Sequence, residues 1–257
     1  MFGVNDFRYY RNALGFSSQV RFKEFLSAKD IVANIDFNYI DLLNERLCEI
    51  FKKLNEIYYK PCDIETFLQN KLFNAYALLK NNEILNKLNN QGRRKEEVYF
   101  SWIRGYLILE YFKNAIAEIF GTSQDLIQSI GEDDFSSLDT FKRTPKADLA
   151  LQNANKNWCV EVQSGFQGVN DIKEHKVREA KAVYERTNTK TLVIHFDIFN
   201  GQVAFVDISS IEDNNIHWIT RQQMEGQSVL NIEQNHFKWL LTKSPPKFNE
   251  LLNHCNF

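Results

Sequence analysis

The hydrophobic pattern of this chain changes period near residue 121, and that change limits the folds open to it. Before it, apolar residues recur every three to four positions, the period of a helix with one buried face; after it they alternate or come in short runs, as in strands. Ser17 or Ser18 can cap a first helix running to about Asp30. Asp36 precedes a longer one, in which Ile40, Leu43, Leu47, Ile50, Leu54 and Ile57 form a seam. Pro61 ends it, and Asp63 is placed to cap another carrying Ile64, Leu68, Leu72, Ala75 and Leu79 on one face, up to Gly92. The seam fits a helical hairpin packed on itself or a dimer contact; with so few heptads the hairpin stands first. A third stretch, about 96–120, follows Arg93-Arg94-Lys95 and stops at Gly121. Val98, Trp102, Ile103, Tyr106, Leu109, Phe112, Ile116 and Ile119 place apolar groups around most of it, so it is expected between layers.

The strand-like half begins with a short run at 126–130 and an acidic loop, Glu132-Asp133-Asp134. Residues 147–152 and 158–163 are apolar runs joined by an Asn-rich link, which is hairpin chemistry. Residues 169–187 read as an amphipathic helix with Ile172, Val177, Ala180 and Tyr184 inside. Two further runs, 191–197 and 202–208, turn at Asn200-Gly201, and the tail offers a strand near 228–232 and a helix after Pro245-Pro246. The expected fold is α/β (α+β), a mixed central sheet flanked by helices. Its expected parts are a helical region 1–92, a core 93–210 and an extension 211–257.

Composition removes several classes of protein. With 31 Lys+Arg against 33 Asp+Glu, the net charge of −2 is not that of a polycation. The content of 21 Phe, 10 Tyr and 4 Trp is too apolar for a disordered chain. No apolar run approaches the roughly 20 residues of a membrane span, and the N-terminus shows no secretory apolar segment. Cys48, Cys62, Cys159 and Cys255 are scattered without C-x-x-C spacing, which argues against a zinc site or a disulfide framework and for a reduced, cytoplasmic setting. The five His residues form no metal-binding pattern.

The chemistry concentrates at Asp148 and at Glu161-Val162-Gln163. Asp148 opens one strand of the expected hairpin, and Glu161 and Gln163 share a face of the other. Two carboxylates on adjacent strands of an apolar sheet repel each other and are costly to desolvate. A divalent cation resolves this, and an all-oxygen donor set suits Mg²⁺ or Mn²⁺. The competing reading keeps both acids at solvated strand ends, with Gln163 bonded to nearby backbone.

Pro145-x-x-Asp148 followed by Glu161-x-Gln163 resembles the active-site motif of the PD-(D/E)xK nuclease superfamily, in the variant with Gln for the usual Lys. The run Val160-Glu161-Val162-Gln163-Ser164-Gly165 is similar to the Glu-Val-Gln branch of Type II restriction endonucleases. The likeness spans about 95–208. Pro145 stands two residues from Asp148 instead of adjoining it, and the Lys is absent. The resemblance implies a restriction-endonuclease-like core in which Asp148 and Glu161 bind Mg²⁺, with the Val162 carbonyl as a further ligand, and Gln163 orients the attacking water. It also implies an added acid, for which Glu97 and Glu110 are candidates unless each simply solvates its helix. Lys173 or Lys176 would supply a displaced cation, unless both lie on an exposed face with Asp171 and Glu174.

A polyanion partner is supported locally: residues 141–187 hold nine Lys+Arg and six Asp+Glu, whereas 121–140 hold five acids and no base. Arg93, Arg94, Lys142, Arg143 and Lys146 are the phosphate-contact candidates, and Gln167, Asn170, Gln222 and Gln223 the base-reading ones. Gly165-Phe166-Gln167-Gly168 fits a tight turn or a close approach to DNA. The expected activity is Mg²⁺-dependent, sequence-specific hydrolysis of double-stranded DNA by a homodimer joined through the helical hairpin. A repair or junction nuclease of the same fold and a non-catalytic nucleic-acid-binding module remain as alternatives.

Overall fold

The computed structural model describes residues 3–16, 18–28, 31, 34–88, 93–131, 146–153, 156–165, 170–212, 216–221 and 226–252, with only the backbone of Leu252. The chain divides into two compact units, Met1–Asp36 and Phe37–Phe257. In the first, α1 (Val4–Leu14) ends at Gly15, whose φ of 75° suits glycine, and α2 (Gln19–Leu26) is capped by Ser18, which accepts from the Arg21 N–H. The Phe16 ring packs on Phe22 and Phe25.

The second unit begins with α3 (Phe37–Leu54). Asp63 caps α4 (Ile64–Leu68) by accepting from the Glu65 N–H, and a π-helical turn, Gln69–Phe73, leads into α5 (Asn74–Asn81). A short α6 (Ile84–Lys87) precedes α7 (Lys95–Phe120), which Gly121 closes in the left-handed conformation. Leu47 of the α3 seam is fully buried, as are Phe51 beside the seam and Leu72 and Leu79. Two buried hydroxyls fasten α3 to α7: Tyr99 donates to Asn44 Oδ1 at 2.6 Å, and Tyr111 donates to Asn55 Oδ1 just beyond the helix end at 2.9 Å. Of the seam, Ile40, Leu47 and Leu54 are buried within the chain, and Leu43, Ile50 and Ile57 are half-buried.

Among the described residues the main sheet has the order β1 (Gln128–Ser129), β2 (Leu149–Asn153), β3 (Lys156–Gly165), β5 (Lys190–Asp197), β6 (Gln202–Asp207) and β9 (Phe237–Leu240). β3 and β5 are parallel and the other neighbours antiparallel, so the sheet is mixed, as expected. β2 and β3 pair antiparallel out to Asn153 and Lys156, the hairpin pairing expected of them. Between β3 and β5 the chain forms β4 (Asp171–Lys173) and α8 (Glu174–Thr187). β4 pairs with β8 (Gln227–Asn231), which pairs with β7 (Trp218–Arg221), in a second sheet. Residues 171–173 are therefore strand where the sequence pattern predicts helix. Likewise the run at 126–130 shortens to β1 after a 3₁₀ turn at Gln124–Leu126. A short α9 (Phe248–Leu252) follows Pro246.

The two faces of the main sheet are covered differently. On one, Phe112 of α7 stacks on Phe196 of β5 with ring centroids 4.1 Å apart, and Trp239 meets both rings edge-on. On the other, Val177 and Ala180 of α8 pack with Ile172, Val193, Ala204, Val206 and Ile208. Phe196 and Val193 are of opposite parity on one strand, so α7 and α8 lie on opposite faces. No described helix is long and apolar enough to cross a membrane.

Candidate active site

The site forms where β2 stops and β3 continues. Pairing with β2 covers Lys156 to Val160, and the ladder of Glu161–Gly165 among the described residues is with β5 on the other side. Asp148 lies immediately before β2, so its carboxylate reaches the edge of β3 that has no strand partner among the described residues. Asp148 Oδ2 accepts the Val162 N–H at 2.7 Å, and the Asp148 N–H donates to the Val160 carbonyl at 3.1 Å.

Glu161 sits on the α8 face, beside its register partner Val193. Its residue is only 6% exposed, so its charge needs a partner. Lys176, one turn into α8, donates to Glu161 Oε2 at 2.8 Å and to the Lys146 carbonyl at 3.0 Å. Gln163 follows on the same face, half-buried, with His195 as its register partner. Asp148, Glu161, Gln163 and Lys176 are thereby gathered at one strand edge, and Val162 contributes its amide to Asp148.

The remaining sequence candidates fall elsewhere. Glu110 is bridged to Lys71 at 2.6 Å and to Lys113 at 3.8 Å, on α7, which covers the opposite face of the sheet from Glu161. Glu97 lies half-buried in the first turn of that same helix. Lys173 is half-buried at the junction of β4 and α8. Arg93 is exposed, while Arg94 lies over the Tyr39 ring at 4.9 Å and pairs with Glu96 at 3.4 Å. Lys146 is exposed and offers its carbonyl to Lys176. Asn170 is held in a hydrogen-bonded chain with His195 and Asp197, a poor setting for reading bases. Lys142, Arg143, Pro145, Gln167, Gln222 and Gln223 lie outside the described residues.

Sequence reasoning missed His195 and Asp197. Burial holds the His195 ring well below its ordinary range, to about 4, against the pull of the Asp197 and Asp171 charges. Burial alone would raise the Asp197 carboxyl, but hydrogen bonds from Asn200, Gln202 and Asn170 outweigh it and hold the group below its usual value. The available signal was that both residues occupy alternate positions of a strand whose other residues from Leu192 onward are apolar.

The donor set fits a hard divalent cation. Among the described residues no cluster of three His, Cys, Asp or Glu side chains forms a complete protein cage. A pair of carboxylates is what Mg²⁺ uses when water and substrate phosphate oxygens complete its shell. The buried Glu161 charge is already one that requires a cation, and Lys176 supplies it in this structure.

Fold and site together define a mixed α/β protein with a carboxylate pair at the end of a strand hairpin. No family model and no curated protein matches the sequence. Among solved structures, one match is Archaeoglobus fulgidus Hjc, a Holliday junction resolvase from an archaeal hyperthermophile. It is 10% identical over 55% of this chain and 96% of that one, with a TM-score of 0.32. At that identity and TM-score the likeness fixes neither the family nor the activity of this chain.

Proposed function

We propose that this chain is a divalent-metal-dependent nuclease that hydrolyses phosphodiester bonds in double-stranded DNA. The observation that carries the reading is the convergence of Asp148, Glu161 and Lys176 on β3 where its pairing with β2 ends, beside Gln163. Asp148 and Glu161 would hold Mg²⁺, or Mn²⁺ in its place, with the Val162 carbonyl as a further donor. When bound, such an ion polarises a phosphoryl oxygen and lowers the pKa of a coordinated water.

The chain's own residues supply the rest. Gln163 holds the attacking water through its carbonyl oxygen; an amide has no basic site to take the proton, so its work is orientation. Lys176 stands beside Glu161, where its ammonium offsets negative charge building on the phosphate oxygens. The water oxygen bonds to phosphorus as the P–O3′ bond breaks; the water's proton passes to solvent, O3′ takes a proton from solvent, and the products are a 5′-phosphate and a 3′-hydroxyl. Arg93, Lys142, Arg143, Lys146 and Lys173 remain candidates for backbone phosphates flanking the cut.

Two finer readings share this chemistry. A Type II restriction enzyme would cut ordinary duplex at one short sequence, as a homodimer with paired active sites. A repair or junction nuclease would cut by DNA structure. The solved neighbour is named for Holliday junctions, so that substrate belongs in the same assay. The test is incubation with long unmethylated phage DNA and with a four-way junction, each with Mg²⁺ or with chelator. Discrete metal-dependent bands from the phage DNA support the restriction reading. Symmetric nicking of the junction with intact linear DNA supports the structure-specific one. Binding without cutting of either substrate would leave a non-catalytic nucleic-acid-binding module in place of the nuclease.

A further inference from the structure

Behind the carboxylates, the same face of the sheet carries a second row of polar groups. β3 and β5 are parallel and in register, with Gln163 beside His195 and Gly165 beside Asp197. His195 is 2% exposed and Asp197 is completely buried. Asp197 accepts from the Asn200 N–H and side-chain amide at 3.2 and 2.7 Å, from the Gln202 amide at 3.2 Å and from Asn170 Nδ2 at 3.4 Å.

These contacts fix a proton. A carboxylate only accepts, so Asn170 turns its NH₂ toward Asp197 and its carbonyl toward His195. His195 Nε2 lies 2.8 Å from that carbonyl oxygen and therefore carries the ring hydrogen. The ring is neutral at pH 7, which leaves Nδ1 as a lone pair. Nδ1 is buried and has no hydrogen-bond partner among the described residues. An unpaired buried acceptor is costly, and the side chain paired with His195 across the ladder is Gln163, whose carboxamide carries two N–H donors.

We propose that His195 is a positioning residue for Gln163: the two do not bond in this structure, and a side-chain rotation of Gln163 brings its carboxamide NH₂ onto Nδ1 and turns Oε1 outward, where it holds the attacking water. Asp197 orients Asn170, Asn170 sets the tautomer of His195, and His195 sets which end of the Gln163 amide faces the substrate. This rests on the reading of Gln163 as the water-holding group, but the hydrogen bond itself does not depend on catalysis.

The test is ¹⁵N NMR of the histidine-labelled protein at pH 7, with the His195 signals identified by their loss in His195→Asn. The expected result is a proton on Nε2 and a bare Nδ1, whose resonance moves to higher frequency in Gln163→Leu as its donor is removed. A proton on Nδ1, or an Nδ1 resonance unchanged by Gln163→Leu, overturns the proposal even if the protein cuts DNA. In the cleavage arm, His195→Leu lowers the single-turnover rate about tenfold with the KM for DNA unchanged. His195→Asn, whose Oδ1 stands near the Nδ1 position, recovers most of that loss; equal impairment of the two variants reduces His195 to packing and overturns the proposal. A protein that cuts nothing but shows the expected NMR response removes the nuclease reading and leaves the His195–Gln163 bond standing.

Discussion

Lys176 Nζ lies 2.8 Å from Glu161 Oε2, joining α8 to β3 across the face of the sheet on which Gln163 lies, and both side chains are largely withdrawn from water. The pair makes the metal-free protein tolerate a buried carboxylate. Removing one partner of a buried ion pair leaves the other charge unmatched, which costs more than the pair gains. Lys176→Met is expected to destabilise the metal-free protein by about 3 kcal/mol in denaturant unfolding. Millimolar Mn²⁺ returns a larger share of stability to this variant than it adds to the wild type, because the cation replaces the lost positive charge.

Asp148→Asn tests the other carboxylate. Asn keeps an oxygen that can accept the Val162 N–H, so the fold is expected to persist, with an unfolding free energy within about 1 kcal/mol of wild type. What disappears is the added stability on titration with Mn²⁺, measured by thermal unfolding. A variant that still gains as much as wild type would place the cation elsewhere.

Acid is expected to weaken the protein through His195. Its folded value is about 4 against an ordinary 6.5, so between those limits the unfolded chain binds the extra proton. Stability therefore rises with pH across this window: the contribution is whole above about 6.5 and is lost as pH falls toward 4. The gap corresponds to on the order of 3 kcal/mol. Burial holds His175 and His236 low as well and adds to the same slope. The His195 share is read by comparison with His195→Asn, whose stability falls less steeply between pH 6.5 and 4.5.

The α7 face can be broken separately. Phe112 is fully buried against Phe196 and Trp239, so Phe112→Ala is expected to cost roughly 3–5 kcal/mol in unfolding experiments. Such a variant, assayed where it remains folded, keeps its cation response because the carboxylates belong to the α8 side.

How much of this was legible in the sequence depended on how local each signal is. The α7 helix and the β2–β3 hairpin were readable, since twenty-odd residues of apolar periodicity and an Asn-rich turn act within their own segments. That Asp148 and Glu161 stand side by side was readable for the same reason, as they share that hairpin. β4, β7 and β9 were not: each has three or four residues, and β4 and β9 pair with strands distant in sequence. Lys176 stood among several cations until α8 turned it onto Glu161. His195 had no motif at all, because its place is set by the parallel register with Gln163, 32 positions earlier, after an intervening strand and helix.

The central claim is that Asp148 and Glu161 hold a cation that hydrolyses DNA. The most direct measurement is single-turnover cleavage of end-labelled phage DNA fragments and a four-way junction by the wild type and Asp148→Asn, with Mg²⁺ or with chelator. Expected are 5′-phosphate products from at least one substrate with wild type and Mg²⁺, none with chelator, and a rate at least about 100-fold lower for the variant. Cleavage by Asp148→Asn at the wild-type rate, or cleavage unaffected by chelator, would contradict the claim.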